Sequence, residues 1–273
     1  AGQHRLLTLL DTIPTLVVDN EHARAEALFP EALAMVRELD LPWAEVFVRH
    51  WALQSRVRSR SEVKHNLSEA VDLLDFSHQE KTRGCPQSVC AVQDLAQCYA
   101  RTDGPGYAQE RLDVSNETLL RIDPTWDCYQ CIATEYADAL LDLGRTEEAL
   151  KFTRAARAKL ARETDLPLLE ALALLALAKP SDALGVVDSA PVHSLGGDNY
   201  TERRALIRAR CLVALGRYDE ASASMPAIDT VLPTPTHYAP WIKVAEPLVT
   251  SSQWPNDDAV NQLIRSEEHT SEL

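Results

Sequence analysis

Small residues recur along the chain at a fixed spacing, and that frame limits the possible folds more than any other feature. From Ala137 the chain reaches Gly144 after seven residues, Ala149 after five more and Ala156 after a further seven. The same steps run through Ala171, Ala178, Ala183 and Ala190, and through Ala209, Gly216, Ala221 and the larger Ile228. Upstream, Ala96, Asp103, Ala108 and Ser115 keep the spacing with Asp at the turn. Three residues after each first member stands an apolar residue: Tyr99, Leu140, Leu174 or Leu212. A motif recurring at this interval marks units that bury their faces by stacking on one another.

The fullest copy is Glu135–Arg157. Tyr136, Leu140, Leu141 and Leu143 form an apolar stripe at helical spacing. Gly144 suits the left-handed conformation that ends a helix. Thr146 then opens a second helix, with Glu147 and Glu148 where the helix dipole favours negative charge. Leu150 and Phe152 are expected to face back toward the first helix. The stretch therefore predicts two short helices folded against each other, with small residues where they approach.

The segments Leu143–Leu150 (LGRTEEAL) and Leu215–Ala221 (LGRYDEA), with anchors Ala108, Ala149, Ala183 and Ala221 spaced by 41, 34 and 38 residues, carry a family likeness. The pattern resembles the tetratricopeptide repeat, a helix–turn–helix unit of 34 residues. The likeness covers residues 86–230, with residues 42–80 as a degenerate pair. Glu170 and Arg208 fill slots that are apolar in that family, and the first helices lack its Trp. The resemblance implies an all-α chain: a right-handed α-solenoid of antiparallel helix pairs. It also implies a concave groove lined by the first helix of each pair. By register the groove would present Gln93, Asp94 and Gln97, then Thr134, Glu135, Asp138 and Asp142. Leu168, Leu169, Leu172 and Leu175 follow, and Arg203 and Arg210 form a basic end. Such a trough suits a peptide or helix laid along it. The Lys/Asn set that grips a C-terminal carboxylate in chaperone-binding members is absent at these positions.

Around the repeats, residues 1–41 read as N-terminal helices that cap or continue the array. The first is expected to break near Pro14, Asn20 to cap the next, and Pro30 to kink a helix or start one. Residues 42–250 hold the repeats, with a Pro/Thr-rich break at Leu232–Thr236 and a helix around Tyr238–Val249. Residues 251–264 form a C-terminal segment. The last nine residues, RSEEHTSEL (265–273), resemble a translated sequencing-adapter read and are expected to be non-native, which implies a fragment of a longer gene.

A net charge of −14 argues against nucleic acid as partner. The longest apolar run, Ala171–Ala178, has eight residues, against about 20 for a membrane helix. A cytoplasmic location is expected. Arg49, Arg56, Arg58 and Arg60 make a local basic cluster, expected to be a solvated face.

Six cysteines stand out: Cys85, Cys90, Cys98, Cys128, Cys131 and Cys211. Cys85-x4-Cys90 and Cys128-x2-Cys131 each lie at the entry of a first helix, and Cys90 and Cys131 are equivalent in the frame. Three states stay open for these four: a structural zinc site, disulfides, or thiols buried as small apolar residues. The eight His are scattered. There is no H-E-x-x-H, nucleophile elbow or glycine-rich phosphate loop, so no enzyme is expected.

The sequence thus points to a non-catalytic scaffold that binds a protein or peptide segment, without nucleic acid or membrane. The alternatives are a sensory or regulatory module of a larger signalling or transcription protein, and a zinc-stabilised repeat.

Overall fold

The computed structural model describes residues 2–59, 63–126, 128–160, 165–191 and 200–224. The expected break at Leu232–Thr236, the helix around Tyr238–Val249, the segment 251–264, the tail 265–273 and Arg60 lie outside them. Among the described residues all regular structure is helical. The chain forms two compact units, Ala1–Arg145 and Thr146–Leu273.

Unit 1 holds α1 (Gly2–Val18), α2 (His22–Glu26), α3 (Phe29–Glu38), α4 (Pro42–Ser59) and α5 (Val63–Ser77), followed by a 3₁₀ turn at Glu80–Thr82. It continues with α6 (Ser88–Asp103), α7 (Ala108–Leu119) and α8 (Tyr129–Asp142). Unit 2 holds α9 (Thr146–Arg157), α10 (Leu166–Ala176), α11 (Pro180–Ser189), α12 (Tyr200–Ala214) and α13 (Tyr218–Ser224). The stretch Glu135–Arg157 therefore spans the division between the units.

Among the described residues, five helices end in one device. After α8, Gly144 has φ 70°. Its N–H bonds Leu141 O, and the Arg145 N–H reaches back to Leu140 O. That crossed pair satisfies carbonyls the helix leaves over. Gly216 (φ 72°) repeats it after α12 with Leu212 and Val213 as acceptors. Ala178 (φ 56°) does so after α10, although alanine resists this conformation. The frame's second member is thus a helix stop. The upstream copy differs: α6 runs through Asp103, and Gly104 stays right-handed.

Two N-terminal expectations need correction. Pro14 does not break α1, which passes through it. Ile13, Leu16 and Val17 are buried on the core face around it, and that packing offsets the hydrogen bond Pro14 cannot donate. Asn20 does not cap α2. It adopts φ 60° and stops α1, with the Glu21 N–H bonded to Leu16 O. Asparagine serves at either end, and its tolerance of the left-handed region decides here. Asp40 (φ 49°) stops α3 in the same way. Of the two roles open to Pro30, it takes the helix start, at the beginning of α3.

Packing follows chain order. In unit 1, α1, α2 and α3 all pack on α4, around Leu9, Ile13, Phe29, Val36 and Val48. Then α5 packs on α4, α6 on α5, α7 on α6 and α8 on α7, while α4 also meets α6 and α6 meets α8. In unit 2, α9 to α13 pack successively and α10 also meets α12. Within unit 1, α4, α6 and α8 therefore meet side by side, and within unit 2 so do α10 and α12. The frame's small residues make these approaches possible. Ala96, Ala108, Ser115, Ala137, Ala149, Ala171, Ala183, Ala209 and Ala221 are all fully buried. A larger side chain at any of them would overpack the contact, at roughly 1–3 kcal/mol.

Candidate functional site

The acidic row expected on a groove is organised around a cation that the repeat frame did not single out. On α7, Ala108, Arg111, Leu112 and Ser115 follow the i, i+3, i+4, i+7 pattern of a buried face, and all four are buried. Arg111 is fully buried. Its guanidinium donates to Asp142 Oδ2 at 2.5 Å and to Asp138 Oδ2, with Glu135 Oε2 at 3.7 Å. Burial opposes the Arg111 charge, but Asp138, Glu135 and Asp142 together outweigh it and hold its pKa above the ordinary arginine value. Its Nε has no hydrogen-bond partner among the described residues. Gly104 leaves room for the pair, since a Cβ there would come within 3.3 Å of Asp142 Oδ2.

Asp142 titrates higher than an ordinary aspartate. Burial is the main cause and repulsion from Asp138 the next, with Arg111 pulling the other way. Glu135 is buried, while the side chains of Asp138 and Asp142 keep 38% and 30% of their exposure. The row thus stays partly open to solvent, but its charge is spent inside the molecule.

Asp94, expected on the same groove, is fully buried. Its carboxylate accepts from His50 Nδ1 at 2.8 Å and from Gln54 Nε2 at 2.6 Å. Gln54 also donates to Gln97 Oε1 at 2.9 Å. This network ties α4 to α6, and its Asp serves packing rather than a surface. Leu168 and Leu169 are likewise fully buried, and Leu172 and Leu175 pack against the unit 2 core. The apolar stretch of the expected trough is therefore largely interior.

Both departures from the family's apolar slots have partners. Glu170 of α10, 4% exposed, accepts from Arg154 Nε at 2.8 Å and from Arg157, both on α9. Arg208 of α12 donates to Asp188 Oδ1 at 2.7 Å and to Ser224 Oγ at 2.5 Å. Each of these, like Arg111, is a charged contact between consecutive helices of one unit: α7 with α8, α9 with α10 and α11 with α12.

The basic end behaves differently. Arg203 lies 3.8 Å from Asp165. Arg210, on the same stripe of α12 seven residues on, is half-buried, and among the described residues no carboxylate pairs with it. Burial depresses its pKa, and Cys211 opposes that shift. In the basic cluster on α4, Arg56 bonds Glu69 and Arg49 lies over the Phe76 ring at 5.2 Å.

The four-thiol zinc arrangement is not the one found. Cys85 lies in the α4–α6 core and donates to Gln87 Oε1 at 3.3 Å. Cys90 Sγ meets Cys128 Sγ at 3.1 Å instead, and none of the six cysteines is bridged. Among the described residues, no three His, Cys, Asp or Glu side chains converge as metal ligands would. Burial pushes Cys98 and Cys211 up to about 12, so both stay protonated at neutral pH.

Among the described residues, no helix is long and apolar enough to cross a membrane. No family model and no curated protein matches the chain.

Proposed function

We propose that the chain is a non-catalytic scaffold of tetratricopeptide-like helix pairs that holds a protein or peptide segment along its first helices. Side-by-side packing of α4, α6 and α8, and of α10 and α12, supports this reading, because stacked pairs of a solenoid meet in this way. So do the buried alanines at the helix contacts.

The observation that carries the reading is the contrast between Arg210 and the other arginines of its kind. Arg111, Arg154, Arg157 and Arg208 each hold a carboxylate. Arg210 is partly desolvated without one among the described residues. A guanidinium already stripped of part of its water gives a strong, directional hydrogen bond to an incoming carboxylate. The segment bound on α12 therefore carries Asp or Glu.

Selection from a displayed library of 12-residue peptides tests this. Enrichment of Asp- or Glu-bearing sequences on the full chain supports it. No enrichment over an unrelated helical protein, or enrichment of basic peptides alone, overturns it.

A further inference from the structure

We propose that Cys90 and Cys128 are a redox pair, which a hydroperoxide oxidises to a disulfide that staples the start of α6 to the start of α8. The two sulfurs lie 3.1 Å apart. A disulfide bond is about 2.05 Å long, so closure needs a shift on the order of 1 Å rather than refolding. The helices already pack side by side, and Val89, Val92 and Ile132 form the core at that end, with Cys128 packed against it.

The surroundings assign the order of events. Cys128 is the N-cap residue of α8, where the positive end of the helix dipole favours a thiolate. It is half-buried, so a small peroxide can reach it. The contact with Cys128, then burial, raise the pKa of Cys90, with smaller contributions from Asp94 and Cys131. Of the two half-buried thiols, Cys128 at the helix cap is the one that reacts first.

In the first step the Cys128 thiolate sulfur attacks one oxygen of hydrogen peroxide and the O–O bond breaks. The departing hydroxide takes the proton that the thiol released and leaves as water, and Cys128 becomes a sulfenic acid. That change removes the negative charge facing Cys90. The Cys90 sulfur then attacks the Cys128 sulfur and the S–O bond breaks. Hydroxide leaves with the Cys90 proton as a second water. Two thiols and one peroxide become one disulfide and two waters, and the two electrons lost by sulfur reduce the peroxide.

The full chain, treated with one equivalent of hydrogen peroxide, then alkylated and digested with trypsin, gives the test. Tandem mass spectrometry should find Gly84–Arg101 joined to Ile122–Arg145, with fragments placing the bond at Cys90 and Cys128. The link should persist in Cys131→Ser and vanish in Cys90→Ser and in Cys128→Ser. Oxidation should raise the melting temperature by roughly 5–10 °C, reversibly with dithiothreitol. If all six thiols of the wild-type chain still alkylate after peroxide, or if the bond runs through Cys85, Cys98 or Cys131, the proposal is wrong. The wild-type map decides the matter even if a serine variant fails to fold.

Discussion

Arg111 of α7, fully buried, donates to Asp142 of α8 at 2.5 Å, so an acidic residue expected on a binding surface is half of an internal ion pair. Removing the cation leaves Asp138, Asp142 and Glu135 crowded together beside a cavity. Arg111→Ala should cost about 2–4 kcal/mol of stability, somewhat less than breaking a fully buried pair because two of the carboxylates still reach water. Urea denaturation measures it. A loss under about 0.5 kcal/mol, the level of a surface substitution, would show that the pair is not holding α7 to α8.

Glu170 should behave in the opposite way. Its partners Arg154 and Arg157 keep side-chain exposures of 57% and 36% and can turn to water if the carboxylate is lost. An apolar side chain at position 170 would suit the buried slot. Glu170→Leu should therefore fall within about 1 kcal/mol of wild type. A loss like that of Arg111→Ala would mean that the pair is a structural necessity.

Ala178 and Gly144 form a matched pair of helix stops with φ 56° and 70°. Ala178→Gly relieves the steric conflict of a Cβ in this region, less the entropy glycine costs, and should stabilise by about 0.5–1 kcal/mol. Gly144→Ala should destabilise by about 1 kcal/mol, and through the backbone alone, since a Cβ there meets nothing within 4 Å. Thermal melts of both variants check the signs.

Asp142 offers a pH test. Its folded pKa lies above the ordinary aspartate value, so across the interval between the two the folded state binds more of the proton. By linkage, its own contribution to stability falls as pH rises through that interval. Carboxyl NMR titration should place it above an ordinary aspartate. Asp138→Asn should bring it down by removing a like charge. An Asp142 value at or below the ordinary one would contradict the burial described here.

The spacing of small residues was enough to read the helices from α6 to α13, because close packing demands small side chains at fixed intervals. Gly144 and Gly216 announced helix stops; Ala178 could be read as one only from its place in the frame. Asn20 was misread because asparagine favours both a helix start and a left-handed stop, and the apolar stripe ending at Val17 was the signal to weigh. The groove was less legible. Register places Asp94, Glu135, Asp138 and Asp142 on first helices, but not which side chains a neighbouring helix neutralises. Arg111 was the available clue: an arginine between Ala108, Leu112 and Ser115 on a buried face requires carboxylates opposite. Cys90 and Cys128 were both noted, but the spacing grouped Cys85 with Cys90 and Cys128 with Cys131. Cys128, at the start of α8, is the thiol that meets Cys90.

The most direct measurement of the central claim is the affinity of a selected acidic peptide for the wild-type chain and for Arg210→Glu, by calorimetry. One charge-assisted hydrogen bond at a partly desolvated site predicts binding weaker by roughly 10- to 100-fold in the variant, with the helical circular dichroism unchanged. Exchanging the peptide's acidic residue for lysine should recover part of the loss. Equal affinity for the two proteins would contradict the account.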